Sequence, residues 1–471
     1  MGNIVGGELV CDGLKYLPIT HHEFPGLLLQ PGDVLFNRTN SPELVGKSAV
    51  YTERHPAPCS FASYLIRVKL NWYEPKLLVS YLNSTYGRAW IRSCVVQQVG
   101  QANVSGGKLK ELELPLPPLN EQRRIVAKLE SLQERSRRAR EALDAVPTLL
   151  DKLRQSILAA AFRGDLTRDW RAKHTDLEPA SELLKRIRTE RRKKWEEAEL
   201  AKLTAKGKAP TDDKWKAKYK EPDPVDTTGL PKLPDGWCWA SVEELSTKVV
   251  DGVHKKPNYI ANGIPFLTVK NLTAGPGISF EDVNYITVED HEDYIKRTDP
   301  EFGDLLISKD GTLGVTRLVR CDTSFSIFVS LALVKPVVRT MGMYLESAFQ
   351  SPFFQERFKA TGSGLLHIHL VDLRAAALPI APLAEQGIVA ERAREALSRL
   401  NASELHHQRL LASLGALDRS ILAKAFRGEL VPQDPSDEPA DVMLARAAGN
   451  AASGTERPKR GRPSAKEQHP S

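Results

Sequence analysis

The chain says almost the same thing twice, at a distance too long for a solenoid. Ser156-Ile157-Leu158 and Ala161-Phe162-Arg163-Gly164 return as Ser420-Ile421-Leu422 and Ala425-Phe426-Arg427-Gly428. Upstream, Pro118-Leu119-Asn120-Glu121-Gln122 returns as Pro382-Leu383-Ala384-Glu385-Gln386. Both motifs recur after 264 positions, so no residue is inserted or lost between them. Solenoid periods run at roughly 20–50 residues. A period of this size makes a pair of domains, each acting on its own copy of a target.

Each repeat opens as a mixed α/β globule. Gly32-Asp33-Val34-Leu35-Phe36, Ser48-Ala49-Val50-Tyr51 and Ser63-Tyr64-Leu65-Ile66-Arg67-Val68 are apolar or β-branched runs between Gly, Pro and Asn, which predicts short strands. Gly303-Asp304-Leu305-Leu306-Ile307-Ser308 matches the first of them. A helix is expected from Pro75 to Ser84, continuing over Arg88 to Cys94, with a counterpart near Met343 to Lys359.

A different pattern follows each globule. From Asn120, apolar or small residues fall at Ile125, Leu129, Leu132, Ser136, Ala139, Leu143, Val146, Leu150, Leu153 and Ile157. The steps alternate four and three, which is a heptad seam. The second copy reads Val389, Ala393, Ala396, Leu400, Ser403, His407, Leu410, Leu414, Leu417 and Ile421. Asn120 suits an N-cap, and Gly164 and Gly428 suit C-terminal stops. Each helix then has about 40 residues and spans roughly 60 Å. Pro147 should kink the first by removing an internal hydrogen bond.

Antiparallel pairing sets Leu150 against Ala396, Leu153 against Ala393, Leu143 against Ser403, Ser136 against Leu410 and Ala139 against His407. Large faces small in every layer, as a seam without voids requires. A parallel pairing leaves the middle thin. The expected fold class is therefore α+β: two tandem α/β domains, each followed by a long helix, the two helices forming an antiparallel coiled coil. Domain boundaries are expected at 1–118, 119–166 (first helix), 167–232 (basic linker), 233–382, 383–430 (second helix) and 431–471 (a mostly disordered extension).

Net charge is +7 and the pI about 9.0, which fits nucleic acid as a partner. No apolar run approaches the roughly 20 residues of a membrane span. The five scattered cysteines fit reduced thiols in a cytoplasmic protein. Catalytic signatures are missing. Ser41 to Ser48 resembles a phosphate loop but has Ser41 where the first Gly belongs, and a strand follows it, so it reads as a turn. His21-His22 and His406-His407 have no metal-ligand partners at useful spacing.

Binding chemistry is more visible. A turn after each Gly-Asp strand displays Arg38, Asn40 and Lys47 in the first half and Lys309, Thr312 and Arg317 in the second. A second loop, before each helix, carries Gln101 and Asn103, or His367 after Gly364-Leu365-Leu366. Arg, Lys, Asn and Gln reach purine edges in the major groove. Ordinary solvated loops share this composition. The tail Pro458-Lys459-Arg460-Gly461-Arg462-Pro463 resembles an AT-hook, whose Arg-Gly-Arg core enters narrow minor grooves. An unstructured basic tail adding salt-dependent affinity is the simpler reading.

The combination is similar to the specificity subunit of type I restriction–modification systems: a Gly-Asp strand, a Pro-Leu-x-Glu-Gln junction, a long helix and an Ala-Phe-Arg-Gly stop, all twice. The likeness covers residues 1–166 and 233–447. It implies two target recognition domains reading the halves of a bipartite site in double-stranded DNA, with the coiled coil as a ruler between them. It further implies a non-catalytic subunit that docks methyltransferase subunits, two in number, and recruits nuclease–translocase subunits. S-adenosylmethionine, ATP and Mg would be held by those partners. Alternatives are a separate recognition subunit of a type II enzyme and a self-contained DNA-modifying enzyme. One departure stands out: Asn271 follows Asp235 by 36 positions, whereas its counterpart Asn3 follows Met1 by 2, so the first globule is about 34 residues shorter at its opening. The expectation is a native start upstream of Met1.

Overall fold

The computed structural model describes residues 2–98, 101–208, 210–255, 257–356 and 367–453. The chain divides into two compact units, residues 1–145 with 407–471, and residues 146–406. Each unit therefore holds one globule, part of the first long helix and part of the second.

In the first unit, Val34–Asn37 is the central strand of an antiparallel sheet, between Ser48–Val50 and Leu65–Val68. All four of its residues are buried. The Gly-Asp pair ahead of it has a conformational cause. Gly32 takes φ +93°, the region favouring glycine, and Asp33 accepts a hydrogen bond from the Gln30 N–H, closing the turn. Gly303 (φ +88°) and Asp304, which accepts from the Glu301 N–H, repeat this in the second unit. The helices Pro75–Asn83 and Thr85–Cys94 cover the first sheet's core.

In the second unit the corresponding strand, Leu305–Ser308, lies in a four-stranded antiparallel sheet ordered Ser246–Asp251, Leu331–Pro336, Leu305–Ser308, Thr316–Leu318. A three-stranded sheet and a strand pair complete the globule; in the pair, Ala377–Ile380 runs antiparallel to Cys238–Ser241. Val242–Leu245 is a single helical turn leading into a strand.

The first long helix runs Leu119–Asp144, breaks at Ala145 and resumes as Val146–Phe162, as Pro147 predicts. The second is continuous, Leu383–Phe426. Pro118, not Asn120, is the first helix's N-cap, so the expected side-chain cap is absent there. Both glycine stops hold, at φ +75° for Gly164 and +74° for Gly428. The Asp165 N–H bonds the Ala160 carbonyl and the Glu429 N–H the Lys424 carbonyl, the Schellman pattern. Beside each stop a phenylalanine anchors the helix: Phe162 meets Tyr344 edge-on, and Phe426 meets Tyr81.

The helices run antiparallel within each unit, but in a shifted register. Ser136 Oγ donates to Asp418 instead of facing Leu410, and His407 Nε2 bonds the Leu143 carbonyl instead of facing Ala139. In the second unit Arg154 reaches Asn401 and Glu404. The seam moves one to two turns along the partner. Ile125, Leu129, Val389, Leu400, His407 and Ile421 are buried, whereas Leu153, Leu410 and Leu417 are exposed. Leu132, Leu143, Val146, Leu150, Ile157 and Leu414 are partly buried. Past the break, Leu158, Ala161 and Phe162 are the buried residues, one step out of phase with the heptads. A helix with 3.6 residues per turn drifts about 20° per heptad, and the break at Ala145 adds to that drift.

The expected linker is partly a folded element. Ala180–Ala205 is a helix whose Ala180, Leu183, Leu184 and Ile187 are buried on the second globule's core, spaced as one helical face. Residues 440–453 of the extension are also helical, with Met443 buried, while the AT-hook-like segment lies outside the described residues.

Candidate nucleic-acid interface

The two polar loops read separately in the first half come together. Beyond Asn37 the chain continues into Thr39–Asn40, which pairs with Gln101–Asn103; Thr39 stands opposite Asn103 and Asn40 opposite Ala102. Arg38 is fixed between them, its N–H on the Tyr64 carbonyl and its carbonyl accepting from the Val104 N–H. Asn103 Nδ2 donates to Thr39 Oγ1 at 3.2 Å. Gln101 is exposed, and Arg38, Asn40 and Lys47 are half-buried. Neither Arg38 nor Lys47 has an ion-pair partner among the described residues, which leaves both charges for an anionic ligand. Gly100 lies outside the described residues.

The second unit repeats the arrangement with other side chains. Asp310 forms a β-bridge with His367, and the two side chains are hydrogen bonded. Thr312 is exposed. Two expected readers are otherwise engaged. Lys309 is only 3% exposed, with Nζ 3.3 Å from Asp251 Oδ2. Burial pushes the Asp251 carboxyl up, but hydrogen bonds from Arg297 and His254 and the Lys309 charge together hold it below its ordinary value. Arg317 sends its guanidinium to the carbonyls of Gly275, Gly277 and Thr316, so it clamps a turn. Burial pushes its pKa down. The partners that bury these two cations are distant in sequence, and their types alone did not reveal it. Gly364-Leu365-Leu366 lies outside the described residues.

Lys255 was missed. It is exposed on the loop after Ser246–Asp251, without an ion-pair partner among the described residues, next to His254. The signal was His254-Lys255-Lys256 between Gly252 and Pro257, a basic turn at a strand end.

Lys309→Met is expected to destabilise the second unit by about 2–3 kcal/mol, less than an isolated buried pair because Arg297 stays on Asp251. Thr312→Ala should be neutral within about 0.5 kcal/mol. Urea unfolding checks both. A Lys309 variant of undiminished stability but weakened DNA binding would restore that residue as a reader.

The junction motif also has a role that its sequence did not disclose. Gln122 Nε2 donates to the Pro117 carbonyl, and Gln386 Nε2 to the Ala381 carbonyl, tying each helix start to the segment before it. Glu385 is fully buried. Thr167 Oγ1 and Arg171 Nη1 donate to its Oε1, each at 2.6 Å, and Trp237 Nε1 to its Oε2 at 2.9 Å.

Residues 33–143 match the family model of the type I restriction modification DNA specificity domain. The type I restriction enzyme EcoKI specificity subunit of Escherichia coli strain K12 is 23% identical over 450 residues, 93% of this chain and 83% of that relative. Residues 33–143 are thus a type I DNA specificity domain, and over most of its length the chain is similar to type I specificity subunits. The StySPI specificity subunit of Salmonella potsdam is 34% identical over 170 residues, covering 35% of this chain and 36% of its own. Among solved structures, a chain from a study of complex assembly and conformational transition of the type I R-M system superposes with a TM-score of 0.57 at 21% identity. The match covers 86% of this chain and 83% of the other, and shows a shared fold.

Proposed function

We propose that this chain is the specificity subunit of a type I restriction–modification complex, its non-catalytic, DNA-reading and scaffolding component, each globule reading one half of a bipartite site. The observation that carries the reading is the repeated polar edge. Thr39 opposite Asn103 in one unit and Asp310 opposite His367 in the other occupy matching places after matching strands. In the first unit Gln101 and Asn103 read base edges while Arg38 and Lys47 hold phosphates. In the second, Thr312 and His367 read and Lys255 supplies charge.

Leucines left uncovered on the helices support docking of methyltransferase subunits: Leu149, Leu153 and Leu405 in the second unit, Leu410 and Leu417 in the first. Nuclease–translocase subunits join those. S-adenosylmethionine, ATP and Mg belong to these partners. Among the described residues no helix is long and apolar enough to cross a membrane.

The test is to reconstitute the complex and sequence the DNA it methylates. Replacing Gln101 and Asn103 together by Ala should relax one half-site, each lost base contact costing about 1–3 kcal/mol of discrimination, and leave the other half-site intact. A change in both half-sites, or in neither, contradicts the assignment.

A further inference from the structure

The two junctions are built alike but completed differently. In the second unit Ala377–Ile380 is buried at every position and pairs with Cys238–Ser241. Trp237, the residue before that strand, brings its indole N–H to Glu385. In the first unit the matching segment, residues 113–116, belongs to no strand and is alternately exposed and half-buried. Glu121, the counterpart of Glu385, is 5% exposed and lines the space without counterparts of the three donors that hold Glu385. Val431 stands where Thr167 would, and Pro435 where Arg171 would. A cavity of about 340 Å³ opens here, lined by Tyr73, Pro117, Glu121, Phe426 and Gly428. The buried Tyr73 hydroxyl also lacks a partner. Small-ligand pockets begin at roughly 300 Å³, so the space is more than a packing flaw.

A buried hydroxyl with no partner, in a cavity that Glu121 also lines, calls for an occupant bringing a polar group into a largely apolar space. An unpaired extended segment alongside calls for a strand. The second unit shows one peptide meeting both demands at once. We propose that the 113–116 edge of the first unit binds an added antiparallel peptide strand of the Gly236–Ser241 kind, its tryptophan filling the cavity and donating its indole N–H to Glu121. The occupant is a peptide strand rather than a free small molecule, because edge and cavity lie in the same order along the chain as in the filled site.

The experiment titrates a fluorescently labelled peptide of residues 233–242, under reducing conditions, into the full-length protein and follows anisotropy. Saturable binding of one peptide per chain is expected, weakened about tenfold or more when the peptide carries Trp237→Ala or the protein Glu121→Leu. Hydrogen exchange on the unsubstituted protein should show new protection at residues 112–116, a readout independent of how Glu121→Leu folds. Tethering the peptide ahead of residue 1 by a Gly/Ser linker raises its local concentration to about millimolar, so weak affinity does not hide the effect. No protection with the tethered peptide overturns the proposal, as does binding that Trp237→Ala leaves unchanged or protection confined to residues 377–380.

Discussion

Glu385→Ala is expected to lower the stability of the second unit by about 3–5 kcal/mol. The carboxylate is fully buried and accepts from Thr167, Arg171 and Trp237. Its removal leaves the Thr167 hydroxyl and the Trp237 indole without that acceptor, and the Arg171 guanidinium with the Gly164 carbonyl but no counter-charge. Glu385→Gln keeps an oxygen for the indole but loses the charge opposite Arg171, and should cost about 1–3 kcal/mol. Hydrogen exchange at residues 236–241 and 377–380 across a urea series measures both, because those strands are held by the same group. If both variants exchange like the parent, the three donors have found other partners and the role assigned to Glu385 fails.

Leu129→Asp should cost the first unit about 4 kcal/mol or more, combining lost burial, a cavity and a buried charge. Leu129 is 2% exposed and packs in a cluster that includes Ile125, Ile421 and Ala425. Leu417→Asp, at a position of equal rank in the heptad pattern but 51% exposed, should change stability by about 0.5 kcal/mol or less. Thermal unfolding of the two variants side by side makes the comparison. Equal destabilisation would mean that the evenly spaced seam is the true one and the shifted register is wrong.

What was legible in the sequence was whatever local chemistry dictates. The apolar runs after Gly32-Asp33 and Gly303-Asp304 announced strands, and Gly164 and Gly428 announced helix stops; all were found. The antiparallel direction holds, although the large-against-small layers that argued for it do not form. The register does not hold, because a heptad count treats the helix as unbroken through Ala145 and assigns every seam leucine the same depth. Lys309 and Arg317 looked like solvent-facing cations because nothing near them in sequence could bury them. Asp251, which ends the strand Ser246–Asp251, and the Gly275 and Gly277 carbonyls, which lie on a separate loop, do so from far along the chain. The Ala180–Ala205 helix was hidden by its charge: four buried residues on one face are a weak signal among so many lysines and arginines. The two loops carrying Arg38, Asn40, Gln101 and Asn103 were each visible, yet their union into one edge depends on strand pairing that no local pattern encodes.

The bond from His407 to the Leu143 carbonyl ties two positions together in how they can vary. Leu143 would ordinarily receive the N–H of the residue four places on, but that residue is Pro147, which has none. The Ala145 N–H turns back onto it, and His407 Nε2, 2.9 Å away, adds a donor from the other helix. A homologue with an ordinary residue at 147 would satisfy this carbonyl within its own helix and could place a leucine at 407. One that kept the proline but lost the histidine would leave the carbonyl without that donor. Proline at 147 and a hydrogen-bond donor at 407 should therefore be gained and lost together across lineages, a paired drift that selection on either helix alone would not produce.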